Sequence, residues 1–331
     1  MSLRCRALMA LACAVAIANL LSNPREVAAQ SYPTHVIKIV VPVPAGGPAD
    51  TISRIAAAGM SASLGQPVLI ENVPGASGTV GVGRVARATP DGYTLCLGTV
   101  AWSVFNGAIF KLPYDLTKDL DPVSLIVDDP MVLVGRKTIP AKNLAELIAW
   151  LKANPGKALA GTGGAGSVGH IFGINFEKAT GTSFRFVPFH GFAPAGNELL
   201  AGRIDLIIGP AATLLPLAQS GRINAYAAFN QTRLPTAPGL PTADEAGAPG
   251  LYMSSWFGFF VPHGTPKTVV EMLNAATVHA LNDPLVRQRL TSIGERFFAP
   301  DELTPETLRA YQQAAIAKWW PIIREAGIKP E

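Results

Sequence analysis

The chain is poor in cysteine, in charge and in clustered basic residues. Only three cysteines occur among 331 residues. Two of them, Cys5 and Cys13, lie in an amino-terminal stretch that does not read as fold. With Cys96 alone remaining, no intramolecular disulfide can form. Cys96 sits in the apolar run "YTLCLG", where a small buried residue is expected rather than a nucleophile. The five histidines are scattered, and neither H-x-x-x-H nor C-x-x-C occurs, so no metal and no cofactor is expected. Charged residues make up 15% of the chain, and Lys and Arg nowhere gather into a patch that would suit nucleic acid. The formal net charge of +4 is partly local. Arg4, Arg6, Arg25 and Glu26 carry +2 of it. Beyond residue 30, no apolar run is long enough to span a membrane.

What is present begins with a leader pattern. Arg4 and Arg6 form a basic start, Ala7 to Leu21 is apolar, and Val27-Ala28-Ala29 supplies small residues before Gln30. Residues 1–29 are therefore expected to be a secretory signal peptide, with the mature chain exported to the periplasm. Cys13 is a poor lipoprotein site, because it lies inside the apolar run. The remaining length suits two domains or one large one.

That remainder alternates strand and helix. Strands are expected at 36–43, 67–72 and 93–98, with helices at 50–64 and 78–88 between them. Alternation resumes after residue 137: "NLAELIAWLKANPG" opens with Asn143 and Glu146 in capping-box spacing. Further strands are expected in "KALAG", "SFRFVPF" and "IDLIIG" and near 223–229, with helices at 167–179, 194–202 and 213–220. Two long apolar stretches, 122–137 and 254–262, interrupt the pattern. Helices then start at Thr265-Pro266, Pro284 and Thr304-Pro305, and Pro321 is expected to kink or end the last. This is an α/β pattern. It predicts two lobes joined by two crossings, lobe 1 from residues 30–131 plus 256–331 and lobe 2 from 132–255. A single doubly wound sheet is the competing architecture.

Two loops stand where strands hand over to helices, the usual ligand position in open α/β sheets. One is Pro44-Ala45-Gly46-Gly47-Pro48-Ala49-Asp50, with Asp50 expected to cap the helix. The other is "AGTGGAGSVGH" (160–170). There Gly161, Gly163 and Gly166 satisfy G-x-G-x-x-G, but the next strand, "SFRFVPF", has no acidic residue for a ribose. A backbone anion cradle is the simpler reading, with Ser167 as helix cap and His170 one turn in. Ser167 and His170 also raise a secreted hydrolase. No G-x-S-x-G elbow surrounds Ser167, and the chain is not expected to be an enzyme. Asp128 and Asp129 read as solvated or hinge carboxylates.

Several stretches together, "YPTHVIKIVVPVPAGGPAD", "LGQPVLIENVPGASGTVG", "ATPDGYTLCLGT", "LPYDLTKDLDPVSLI", "LLAGRIDLIIG", "LPTADEAGAPG" and "SSWFGFFVPHGTP", resemble the solute receptors of tripartite tricarboxylate transporters, the Bug family of periplasmic binding proteins. The resemblance implies a two-lobed periplasmic-binding-protein fold of type II form, with two crossing strands and a ligand cleft between lobes. It implies capture of a small organic carboxylate for the permease subunits of such a transporter. A sensory module presenting its loaded form to a signalling receptor is the alternative. By position, the ligand-binding residues it implies are Pro44, Ala45, Gly46, Gly47 and Asp50 in the first loop, and Gly163, Ser167 and His170 in the second. Thr99, His190 and Asp205 complete the set. The chain departs from the family pattern in three places. Pro48-Ala49 stands where a Ser-Thr pair is common, Phe189-His190 where Tyr-Lys is common, and Pro210-Ala211-Ala212 where Asp-Asn is common. A less polar pocket follows, with Trp102, Phe105 and Phe192 as candidate lining and a ligand of apolar or aromatic body.

Overall fold

The computed structural model describes residues 32–328, and its helices and strands all lie within the body His35–Glu331. The signal-peptide expectation, residues 1–29, falls outside the described residues. Three parallel strands open the fold: β1 (Ile37–Val41), β2 (Val68–Asn72) and β3 (Thr94–Thr99), in the order β2-β1-β3. The β1 sequence IKIVV is buried except at Lys38, as a strand covered on both faces should be. Helix α1 (Pro48–Leu64) turns Ile52, Ile55, Ala56 and Met60 inward, and Gly65 closes it in the left-handed conformation, φ 65°. Helix α2 (Thr79–Ala86) follows β2. Residues 101–109 are also helical, a π-type turn at Ala101–Phe105 running into the short α3 (Asn106–Ile109). The apolar spacing of 100–110 does not announce this segment.

The two long apolar stretches are strands. β4 (Leu120–Arg136) is 17 residues long, and β9 spans Ser254–Pro262. Residues 120–130 of β4 pair antiparallel with β9, which in turn pairs with β3. Residues 131–136 of β4 lie instead between β7 (Leu206–Pro210) and β8 (Ile223–Ala228). One strand thus serves both halves of the sheet. The second half is completed by β5 (Leu159–Thr162), parallel to both β7 and β6 (Arg185–Pro188). Prolines at 122 and 130 sit inside β4, and the ladder shifts register beside Pro122, where the missing N–H is absorbed.

Helices α4 (Leu144–Ala153), α5 (Val168–Thr180), α6 (Phe192–Leu200) and α7 (Ala211–Gln219) cover this second half. The expected capping box opens α4: the Glu146 N–H donates to Asn143 Oδ1 at 2.9 Å. The reciprocal bond goes to the Lys142 N–H rather than to that of Asn143. α8 (Lys267–Asn282), α9 (Pro284–Ser292) and α10 (Pro305–Glu325) complete the fold. α10 does not end at Pro321; it runs on to Glu325. Burial of Trp319 before the proline and Ile323 after it, on one face of the helix, outweighs the one backbone bond that proline removes. No described helix is long and apolar enough to cross a membrane.

Candidate functional site

A cleft of about 730 Å³ lies beyond the carboxyl ends of β1, β2, β3, β5 and β6. Its walls are the residues that follow those strands: Pro44 and Ala45 after β1, Pro74 to Gly78 after β2, Gly163 after β5, and His190 after β6. The starts of three helices open on it, through Pro48 and Ala49 of α1, Ser167 and Val168 of α5, and Gly191 and Phe192 of α6. A helix's first N–H groups have no partner inside the helix and carry partial positive charge. Three such ends facing one cavity favour an anion there, although the lining contains no Lys or Arg.

Each loop is held from behind. In the first, α1 begins at Pro48, with Gly47 as N-cap and no side-chain cap. Asp50 therefore does not cap the helix as expected. It sits in the first turn, and its buried carboxylate accepts from the Gly46 N–H (2.9 Å), from Arg54 Nε (2.9 Å) and from Asn72 Nδ2 (3.0 Å). The bond from Arg54, aided by Gly46 and Asn72, outweighs burial and holds the Asp50 carboxyl down to about 2. Gly46, at φ 92°, makes the turn that aims its N–H back at this carboxylate. Neither Gly46 nor Asp50 lines the cleft; they fix the shape of the residues that do.

The second loop follows the same logic. Ser167 is the N-cap of α5, its Oγ accepting from the His170 N–H at 3.4 Å. His170 Nδ1 accepts from the Gly166 N–H at 3.0 Å, so the imidazole braces the loop and does not line the cavity. α5 rests close on the strands because Gly169 carries no side chain. A Cβ there would stand 2.5 Å from the Ile208 carbonyl oxygen.

Of the sequence-predicted residues, Pro44, Ala45, Gly47, Thr99, Gly163, Ser167 and His190 line the cleft. Asp205 is a correction. It immediately precedes β7, at the amino end of that strand, where it accepts from the Leu159 N–H (2.7 Å) and pairs with Arg136 (2.5 Å). The cleft is at the opposite ends of the strands, so Asp205 ties β5 to β4 instead. Of the candidate aromatics, Trp102 and Phe192 line the cavity. Phe105 is fully buried beneath it, 5.8 Å from Trp319 between ring centroids. Cys96 is buried as expected, and burial pushes its thiol up to about 12.

Sequence reasoning missed two features. The loop 74–78 joins the wall with Ala76 and Ser77 at φ 44° and 52°, held by Asn106 Nδ2 donating to the Ser77 carbonyl at 2.9 Å. Its "PGASG" composition is the signal that a turn there could have used. The second is the burial of the adjacent pair Asp128 and Asp129 in β4. Asp129 is 7% exposed and lines the cleft. Asp128 lies on the other face, accepting from Asn230 Nδ2 at 3.1 Å and facing Arg296 at 3.5 Å. Burial holds both carboxyls above their ordinary range. They are not the solvated groups their charge suggests.

A sequence profile of the tripartite tricarboxylate transporter family receptor matches residues 52–328. A protein from the TAR-I ttuE-ttuC′ intergenic region of Agrobacterium vitis is 37% identical over 91% of this chain and 87% of its own length. The periplasmic binding protein BugD is similar in structure, with a TM-score of 0.77 and 34% identity over 91% of this chain and all of BugD (100%). MatC from Rhodopseudomonas palustris, solved with bound malate, gives a TM-score of 0.78 at 36% identity, covering 88% of this chain and 100% of MatC.

Proposed function

We propose that this chain, which belongs to the tripartite tricarboxylate transporter receptor family, captures a small carboxylate of apolar or aromatic body in the cleft between its lobes. Family members of this kind are two-lobed solute-binding receptors and not enzymes. The observation that carries the reading is the lining itself: three helix starts with exposed N–H groups, no fixed cation, and Trp102, Ile109, Phe110, Phe192 and Phe257 around them. Backbone N–H groups bond a carboxylate strongly where water is excluded. The first loop grips through Pro44 to Ala49 and the second through Gly163 to Val168. Ser167 Oγ accepts from the helix yet keeps its own hydrogen to donate. Thr99 and His190 supply further polar contacts. That BugD is a periplasmic binding protein supports export of this chain with loss of residues 1–29, the match to a transporter receptor family supports delivery of the ligand to permease subunits, and the malate in MatC supports a carboxylate ligand. Lobe 1 is then 30–131 with 256–331, and lobe 2 is 132–255.

An apolar body that buries roughly 100 Å² contributes about 2–3 kcal/mol. Acids such as 3-phenylpropanoate and hexanoate are therefore expected to bind tenfold or more tightly than citrate (~10-fold at least) in calorimetry, and to raise the melting temperature more. Binding of citrate or malate with no response to the apolar acids would reject the apolar-body reading. Silence toward every carboxylate would reject the receptor reading itself.

A further inference from the structure

Asp129 has no part in the carboxylate grip, yet it is presented to the cleft by a strand at the centre of the sheet. It stands opposite Ser255 in the β4–β9 ladder, and Thr99 stands opposite Phe257 in the β3–β9 ladder. Ser255 and Phe257, two residues apart, share one face of β9, and cross-strand neighbours share it with them. All four line the cavity. Asp129 is 7% exposed, and its Oδ1 has no hydrogen-bond partner. Glu295, 5% exposed, likewise has an unpartnered Oε2. The nearby guanidinium, Arg296, is spent on the other face of β4, 3.5 Å from Asp128 and 3.4 Å from Thr232.

Charge balance on the cleft side is therefore one-sided. Burial and the neighbouring Asp128 hold the Asp129 carboxyl well above the usual range. Burial with Asp129 and Asp128 pushes Glu295 up to about 10. Both carboxyls therefore resist ionisation in the empty protein. A ligand with a second carboxylate would meet Asp129 with no Lys or Arg in the lining, and a buried charge without a partner is costly. A ligand nitrogen that is positively charged reverses this, because it supplies the counter-ion that the site lacks. Trp102 and Phe257 line the same cavity, and aromatic rings favour a cationic neighbour.

We propose that the ligand is an amino-carboxylate, its carboxylate held by the two loops and its cationic nitrogen by Asp129 at the floor. This rests on the carboxylate reading and narrows it. On binding, the ligand N–H groups donate to the Asp129 carboxylate, and the cation favours its ionised form, so that the proton which burial favours on this group is given up to solvent. The bound ligand stays net neutral, and Asp129 acts as the residue that selects it.

Calorimetry on the mature receptor tests this with three pairs differing only in the amino group: L-leucine and 4-methylpentanoate, L-phenylalanine and 3-phenylpropanoate, 5-aminopentanoate and pentanoate. In at least one pair the amino member is expected to bind about tenfold or more tightly. Its binding is also expected to release protons, read from the heat in buffers of different ionisation enthalpy, while the partner acid releases none. Asp129→Asn is expected to erase the preference within the pair and the proton release. The proton count needs no variant, so it stands even if the substitution perturbs folding. Plain acids binding as well as their amino partners, with no proton release, would overturn the inference and leave the carboxylate reading in place. Binding of none of the six acids would overturn both.

Discussion

Asp50→Ala is expected to weaken carboxylate binding by about 100-fold although Asp50 touches no ligand. The carboxylate gathers the Gly46 N–H, the Arg54 guanidinium and the Asn72 amide, and with it gone the first loop loses the restraint that aims its remaining N–H groups at the cleft. Affinity is lost because ordering that loop on binding then costs conformational entropy. The same substitution changes the dependence of stability on pH. The folded Asp50 carboxyl lies at about 2 against 3.8 for a free one. A depressed folded value means that the stabilisation is complete above about pH 4 and disappears as pH falls toward 2. Arg54 is 52% exposed at its side chain, so solvent screening reduces the contribution to about 1–2 kcal/mol. Urea melts of the wild type should therefore fall in midpoint over that window, and melts of Asp50→Ala should fall less. Unchanged affinity in the variant would show that the loop is held by other means.

Phe172→Ala is expected to be the more damaging change to stability, by about 3–5 kcal/mol. Phe172 is fully buried on α5. Its ring centroid lies 4.9 Å from that of Trp319 on α10 and 6.1 Å from that of Phe105. The contact joins three parts of the chain far apart in sequence, so a void there cannot close by moving one side chain. α5 also carries Ser167 at its start, and a loosened α5 should weaken ligand binding as well. Thermal melts should show a drop on the order of 10 °C. Leu285→Ala, at a site 62% exposed, should stay within ~0.5 kcal/mol of the wild type. Equal effects from the two would mean that the aromatic cluster is not a keystone of the fold.

Much of this arrangement was legible in the residues. The strand–helix alternation placed β1, β2, β3 and β5, and with them the loops after β1 and β5, because hydrophobic period and glycine or proline stops are local signals. The unbroken apolar run at 254–262 was legible as a crossing strand for the same reason. Ser167 read correctly as a cap because hydroxyl, helix start and the position three residues on are neighbours in sequence. Asp205 was misplaced for want of a rule already in hand: it precedes its apolar strand, and the loops that form the cleft follow theirs. The burial of Asp128 and Asp129 could not be read, since it depends on β9 and the Glu295–Arg296 segment packing beside β4 from more than a hundred residues away. Residues 101–109 became helical through tertiary contact. Trp320 Nε1 donates to the Val104 carbonyl at 2.9 Å, and Gln312 Nε2 to that of Ser103 at 3.0 Å.

The central claim is that two loops grip a carboxylate through backbone N–H groups at helix starts. Calorimetry of the tightest-binding acid against its own primary amide tests it most directly, because the two share a shape and differ in charge. The account predicts that the amide binds at least ~100-fold more weakly. Equal affinity for acid and amide would contradict it.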